Sequence, residues 1–229
     1  MPRHARFCIA DTPIHVVQRG HNRGPCFASD RDRVRYLFDL KQQAELHGVA
    51  VHAYVLMTNH VHLLMTPRDG GGISRTMKAL GECYVRYFNR AYGRTGTLWE
   101  SRPYSCLVDN EGYLLTCHRY IECNPVRAGL AGDPQGYRWS SYRANALGEY
   151  SALLSPHPVV CALGNTPAER QAAYRELFLS ELDSDVLDCI RDTTKGGFAL
   201  GGEAFQSKVS KVLGKPAIRR RAGRPPWKE

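Results

Sequence analysis

The chain has 229 residues, 43% of them hydrophobic, enough for one substantial domain with an addition. Lys and Arg number 31 against 22 Asp and Glu, a formal charge of +9 that favours a polyanionic partner. No stretch approaches eighteen apolar residues, the charged start has no apolar core behind it, and the eight cysteines form no Cys-x-x-Cys pair; this excludes a membrane span, a signal peptide and a zinc ribbon, and fits reduced thiols in a cytoplasmic, nucleoid-associated protein.

In chain order, residues 14–18 read as a strand and 20–25 as a Gly-rich turn. Ser29 and Asp30 cap a helix running to about residue 47, with Val34, Leu37, Phe38 and then Lys41, Ala44 and Glu45 at helical spacing, and Gly48 ends it. Strands follow at 49–56 and 60–66, joined by the short turn 57–59. After a loop at 67–72, residues 74–92 read as a long helix with Met77, Leu80, Tyr84, Tyr87, Phe88 and Ala91 as its buried stripe. Residues 104–108 are a fourth strand and 111–124 a further helix, striped by Leu114, Cys117 and Ile121. This order is the ferredoxin-like (RRM-like) split pattern of an α+β protein, an antiparallel sheet with helices on one face. Beyond residue 145 the composition shifts, with helices at 167–179, 185–192 and 203–213 and a Gly-rich stretch at 196–202. The expected division is therefore a main domain over 1–145, a helical appendage over 146–214 and a basic flexible tail over 215–229.

The most informative motif is Asn59-His60-Val61-His62-Leu63-Leu64. Side chains two apart on a strand share a face, so His60 and His62 stand side by side and can share a divalent metal. Two polar residues on a half-buried strand would satisfy the same spacing. Some sixty residues later comes Tyr120-Ile121-Glu122-Cys123-Asn124-Pro125-Val126-Arg127-Ala128. Tyr120 and Asn124 are i and i+4 and meet on one helix face, although Pro125 also makes Asn124 an ordinary helix-end residue.

Together these motifs resemble the single-tyrosine HUH transposases (IS200-like), and most of all the REP-associated tyrosine transposases. The likeness extends to Gln18-Arg19-Gly20-His21-Asn22-Arg23, to residues 84–100, to Trp139-Ser140-Ser141-Tyr142 and to Gly223-Arg224-Pro225-Pro226. It implies the ferredoxin-like fold with both histidines on a central strand. It also implies that Tyr120 attacks single-stranded hairpin DNA to give a 5′-phosphotyrosine link, and that His60, His62 and Asn124 hold Mg²⁺ or Mn²⁺. Imidazole ligands would accept zinc or nickel as well. Asn124 stands where some relatives carry Gln, with a reach one methylene shorter. A DNA-hairpin-binding protein that has lost its chemistry is the alternative from a different class, but it would have no need of all four residues. The repeat-associated branch points to a monomer, the broader family to dimers.

For DNA contacts, Lys78, Arg86 and Arg90 fall on the outer face of the long helix, Arg94 where it ends, and Arg19, Asn22 and Arg23 in the loop after the first strand. Arg219, Arg220, Arg221 and Arg224 in the tail add electrostatic affinity or a minor-groove contact. Arg127 and the segment 139–142 are expected to pack on the helix that carries Tyr120, the tryptophan in a structural role.

Overall fold

A computed structural model describes residues 8–110 and 112–217 of the chain. Arg219, Arg220, Arg221 and Arg224 lie outside the described residues. Ile14–Arg19 (β1), Val49–Leu56 (β2), His60–Pro67 (β3) and Tyr104–Val108 (β4) form the sheet expected from the sequence. A two-residue strand, Ala199–Leu200 (β5), joins parallel to β4, so the strand order is β2-β3-β1-β4-β5. The part expected as a helical appendage thus also contributes to the sheet. The Gly-rich stretch around it carries no strand signal, because two residues show no alternation. β3 lies between β2 and β1, so both histidines stand on an inner strand.

The antiparallel register sets which residues share a face. Val16 pairs with Leu63 and Ile14 with Met65, while Val17 pairs with His62 and Arg19 with His60. The first set is buried under Asp30–Leu46 (α1) and Gly72–Ala91 (α2), through Tyr36, Leu40, Met77, Leu80 and Tyr84. These two helices form the layer expected on one face, whereas the helix expected over 111–124 packs on the other. The second face is also covered. Leu114–Glu122 (α3) and Ser184–Gly196 (α8) pack there against Ala53, Val55, Leu64 and Cys106. Between them in the chain lie Asn124–Arg127 (α4), Tyr142–Leu147 (α5), Pro158–Cys161 (α6) and Pro167–Glu176 (α7), and Glu203–Leu213 (α9) follows β5. The short α5 and α6 escaped the sequence reading, since one or two turns show no period.

Local chemistry explains the boundaries. Ser29 caps α1 in a capping box whose carboxylate is Asp32, which accepts from the Ala28 and Ser29 amides at 2.8 and 2.9 Å. Asp32 also accepts from the hydroxyls of Tyr87 and Tyr92 at 2.9 and 2.8 Å, fastening α1 to α2. On α1 the sheet takes Tyr36 and Leu40 besides the expected Ala44, while Val34 and Phe38 are exposed, contrary to the expected stripe. Apolar residues encircle this helix, so period alone does not choose the buried face. Pro125 has no amide hydrogen to continue the ladder, so α3 stops at Glu122 rather than 124, and α4 starts afresh at Asn124. Ala217 is buried and its carbonyl accepts from the Ala199 amide at 2.9 Å, so the expected flexible tail is held at its first residues.

Candidate active site

His60 and His62 project from the second face of β3 with ring centroids 5.0 Å apart. The Asn59 side chain holds His60: its carbonyl accepts from Nδ1 at 2.7 Å while its amide donates to the Arg23 carbonyl at 2.9 Å. His60 Nε2 is then left as a lone-pair donor. His62 sits in a longer chain of contacts. Its Nδ1 is 2.9 Å from His15 Nε2, His15 Nδ1 is 3.0 Å from the Thr194 hydroxyl, and Asn124 Nδ2 is 3.1 Å from His62 Nε2. With the Asn124 amide nitrogen facing it, His62 Nε2 must accept, so His62 Nδ1 donates to His15 and His15 donates to Thr194. Burial lowers the pKa of His15 to about 3 and of His60 to about 4. Burial first, then the neighbouring His15, His60, Arg127 and Arg19, holds His62 well below the ordinary imidazole range. All three rings are therefore neutral at neutral pH, the state a cation requires.

Tyr120 comes from α3, whose Leu114, Cys117 and Ile121 are fully buried against the sheet. Its ring lies 5.7 Å, centroid to centroid, from His15 and from His62, edge-on to both. The structure thus brings Tyr120, His60, His62 and Asn124 together. Arg127 donates to the Tyr120 carbonyl and lays its guanidinium carbon 4.7 Å over the phenol ring. Arg191, from α8, lines the same cleft as Tyr120. Burial raises the phenol's pKa and outweighs the lowering by Arg127 and Arg191, so the hydroxyl is protonated at neutral pH.

These groups line a cleft of about 410 Å³ that also takes in Arg19 and Lys195, and no Asp or Glu is among its lining residues. Among the described residues no group of three or more His, Cys, Asp or Glu could hold a metal. The donors here are instead two neutral imidazoles and, once the Asn124 side chain turns its oxygen where its nitrogen now faces His62, one amide oxygen, a set that fits a divalent cation with positions left open for phosphate oxygens and water.

Of the described residues expected to contact DNA, only Arg19 lines the cleft. Asn22 and Arg23 form an exposed turn beside it, with φ of 52° and 58°. That turn is permitted by Gly20, where a Cβ would lie 2.2 Å from the Gly24 carbonyl oxygen. Lys78, Arg86 and Arg90 ride on α2, which packs on the opposite face of the sheet, and Arg86 donates back to the Glu82 carbonyl at 3.2 Å. Arg94 stacks its guanidinium 5.5 Å from the Phe88 ring. The sequence reading missed His15, Thr194, Arg191 and Lys195 altogether. His15 was within reach, because it stands two and four residues from Val17 and Arg19 on one strand face. Arg191 and Lys195 share one helix face at i and i+4, a pattern that an ordinary solvated helix also shows. The segment 139–142 packs behind α3 through Ser141, whose hydroxyl donates to Glu122 at 2.5 Å, and Trp139 is buried in the core on the other face.

A family model described as "Transposase IS200 like" matches residues 8–124. The chain is similar in fold to the solved structure of a REP-associated tyrosine transposase bound to a REP hairpin. The TM-score is 0.55 at 16% identity, covering 69% of this chain and 93% of that one. A transposase candidate from Deinococcus radiodurans R1 is 22% identical over 53% of this chain and 96% of its own, at a TM-score of 0.35. No curated protein matches at a significant level.

Proposed function

The chain belongs to the IS200-like transposase family, and from that premise we propose that it nicks and rejoins single-stranded hairpin DNA through a covalent link to Tyr120. The observation that carries this is the meeting of Tyr120 with His60, His62 and Asn124 in one cleft lined by cations and no carboxylate. In the proposed step the Tyr120 oxygen attacks the scissile phosphorus as the bond to the 3′ oxygen breaks. A 5′-phosphotyrosine diester forms, and the proton lost by the phenol is balanced by the one gained by the released 3′-OH. One phosphodiester replaces another, so attack by a 3′-OH reverses the step with no ATP. His60, His62 and the amide oxygen of Asn124 would hold Mg²⁺ or Mn²⁺, which when bound polarises the phosphate. An unperturbed phenol has a pKa of about 10, and burial takes this one further from ionisation, so its proton must leave as the new bond forms. All four residues come from one chain, which supports a monomer as the working unit.

A hairpin substrate is supported by the cations around the cleft and by the REP hairpin bound to the relative of like fold. The test uses a labelled single-stranded DNA pool with a fixed hairpin stem and randomised flanks, incubated with Mn²⁺. A denaturant-resistant protein–DNA adduct is expected, and Tyr120→Phe abolishes it while hairpin binding survives. An adduct that persists in Tyr120→Phe would rule out this nucleophile. Binding without any adduct in the unaltered chain would mark a hairpin-binding protein instead.

A further inference from the structure

α8 lies wholly beyond the residues that match the family model, yet it builds one wall of the cleft. Ile190 is fully buried against the second sheet face, and Thr194, 4% exposed, reaches His15 at 3.0 Å. Those two contacts fix the rotation of the helix. Arg191, three residues before Thr194, thereby shares the cleft with Tyr120, close enough for its charge to favour the ionised phenol. The only carboxylate it pairs with among the described residues is Asp188, at 2.8 Å, an exposed i,i+3 contact outside the cleft. Such an exposed pair is weak and does not compete with a phosphate. Inside the cleft, Arg19, Arg127, Arg191 and Lys195 have no carboxylate among the lining residues to neutralise them. This local excess of positive charge surrounds the hydroxyl that the proposed reaction uses.

We propose that Arg191 is a catalytic residue of the strand transfer, donating to the phenolic oxygen of Tyr120 and to a non-bridging oxygen of the scissile phosphate. The assignment rests on the transposase reading above. A guanidinium that shares the cleft with the nucleophile's oxygen is placed to meet the phosphate once that oxygen bonds to the phosphorus. Negative charge builds on the phosphate oxygens as the bond to Tyr120 forms and the bond to the 3′ oxygen breaks. The guanidinium neutralises that charge and remains protonated throughout. It moves no proton, since it cannot be deprotonated in this setting. Arg127, fixed over the Tyr120 ring, adds a second guanidinium to the same cleft. Arg191 itself is exposed, so removing its side chain leaves the packing of α8 on Ile190 and Thr194 intact.

The experiment first maps the cut from adducts of the unaltered chain on the hairpin pool. The oligonucleotide is then remade with a charge-neutral methylphosphonate at the scissile linkage. Single-turnover adduct formation with Mn²⁺ is compared for the unaltered chain, Arg191→Ala and Arg191→Lys. On the ordinary linkage Arg191→Ala is expected to slow adduct formation about 100-fold or more, and Arg191→Lys, a point charge without the fork, to recover only part. On the methylphosphonate the gap between the unaltered chain and Arg191→Ala should shrink at least about tenfold, because the charge to be neutralised is gone. Arg191→Ala acting at the unaltered rate overturns the assignment while the transposase reading stands. An equal gap on both linkages also overturns it, since that is what a loosened α8 would produce. If the unaltered chain forms no adduct, the transposase reading and this assignment fall together.

Discussion

The proton on His62 is placed by its neighbours. His15 Nε2 lies 2.9 Å from His62 Nδ1, so accepting that hydrogen leaves His62 Nε2 unprotonated, its lone pair turned to the Asn124 amide and open to a cation when that amide turns away, and Thr194 keeps His15 in the matching tautomer from 3.0 Å. Partners of this kind set both the orientation and the basicity of a ligating imidazole. His15→Leu is expected to weaken Mn²⁺ binding about 10–100-fold by calorimetry. His15→Gln, whose amide both accepts and donates, should restore much of it. Leucine at position 15 with unaltered Mn²⁺ affinity would show that His15 merely fills space. At this scale the residues legible in the sequence are those whose partners lie two or four positions away: His60 with His62, and Tyr120 with Asn124. Those whose partners lie far along the chain stay hidden. Asn59, which reads only as a turn residue, joins His60 to the loop at Arg23.

α3 must hold Tyr120 to the sheet from one side, with Asn124 at the start of α4 beside it, while burying Glu122 on the other. Glu122 is fully buried and accepts from Ser141 at 2.5 Å, Asn145 at 2.9 Å and Tyr174 at 2.8 Å. Burial outweighs those three donors and pushes its carboxyl up to about 7. Between an unfolded value near 4.5 and about 7 the folded chain therefore binds this proton and the unfolded chain does not. The stabilisation from that proton is complete below the window and drains away as pH rises through it, on the order of 3 kcal/mol at most. His15, His52 and His118 oppose it. Burial holds them at about 3 to 4, so each contributes stability above pH 6.5 that is lost on acidification. The contribution of Glu122 thus emerges in a difference. The melting temperature of Glu122→Gln minus that of the unaltered chain should climb between pH 5 and 8, and parallel curves would count against a proton on Glu122. Period 3.6 disclosed α3 as an element, and Pro125 announced its end. Neither could disclose that its polar side is locked by α5 and α7, because these partners are brought near only by packing.

Over the whole molecule, a charge of +9 is divided between the cleft, the outer face of α2 and the C-terminal tail. The tail holds Arg219, Arg220, Arg221, Arg224 and Lys228 beyond the anchored Ala217. Deleting residues 218–229 should weaken hairpin DNA binding and flatten its salt dependence, by about 0.7–0.9 in the log–log slope for each phosphate that the tail neutralises. An unchanged slope in titrations from low to moderate salt would remove the tail from the interface. The sequence by itself determined the strand and helix order, the side-by-side histidines and the pairing of Tyr120 with Asn124. These follow from backbone repeats of two residues in a strand and about four in a helix, which are written locally. Only the tertiary structure decided that α3 and α8 cover the histidine face, that His15 backs His62, and that Arg191 shares the cleft with Tyr120. An amphipathic helix declares that it will bury a face, whereas the surface it buries against is chosen by shape and area across the whole chain.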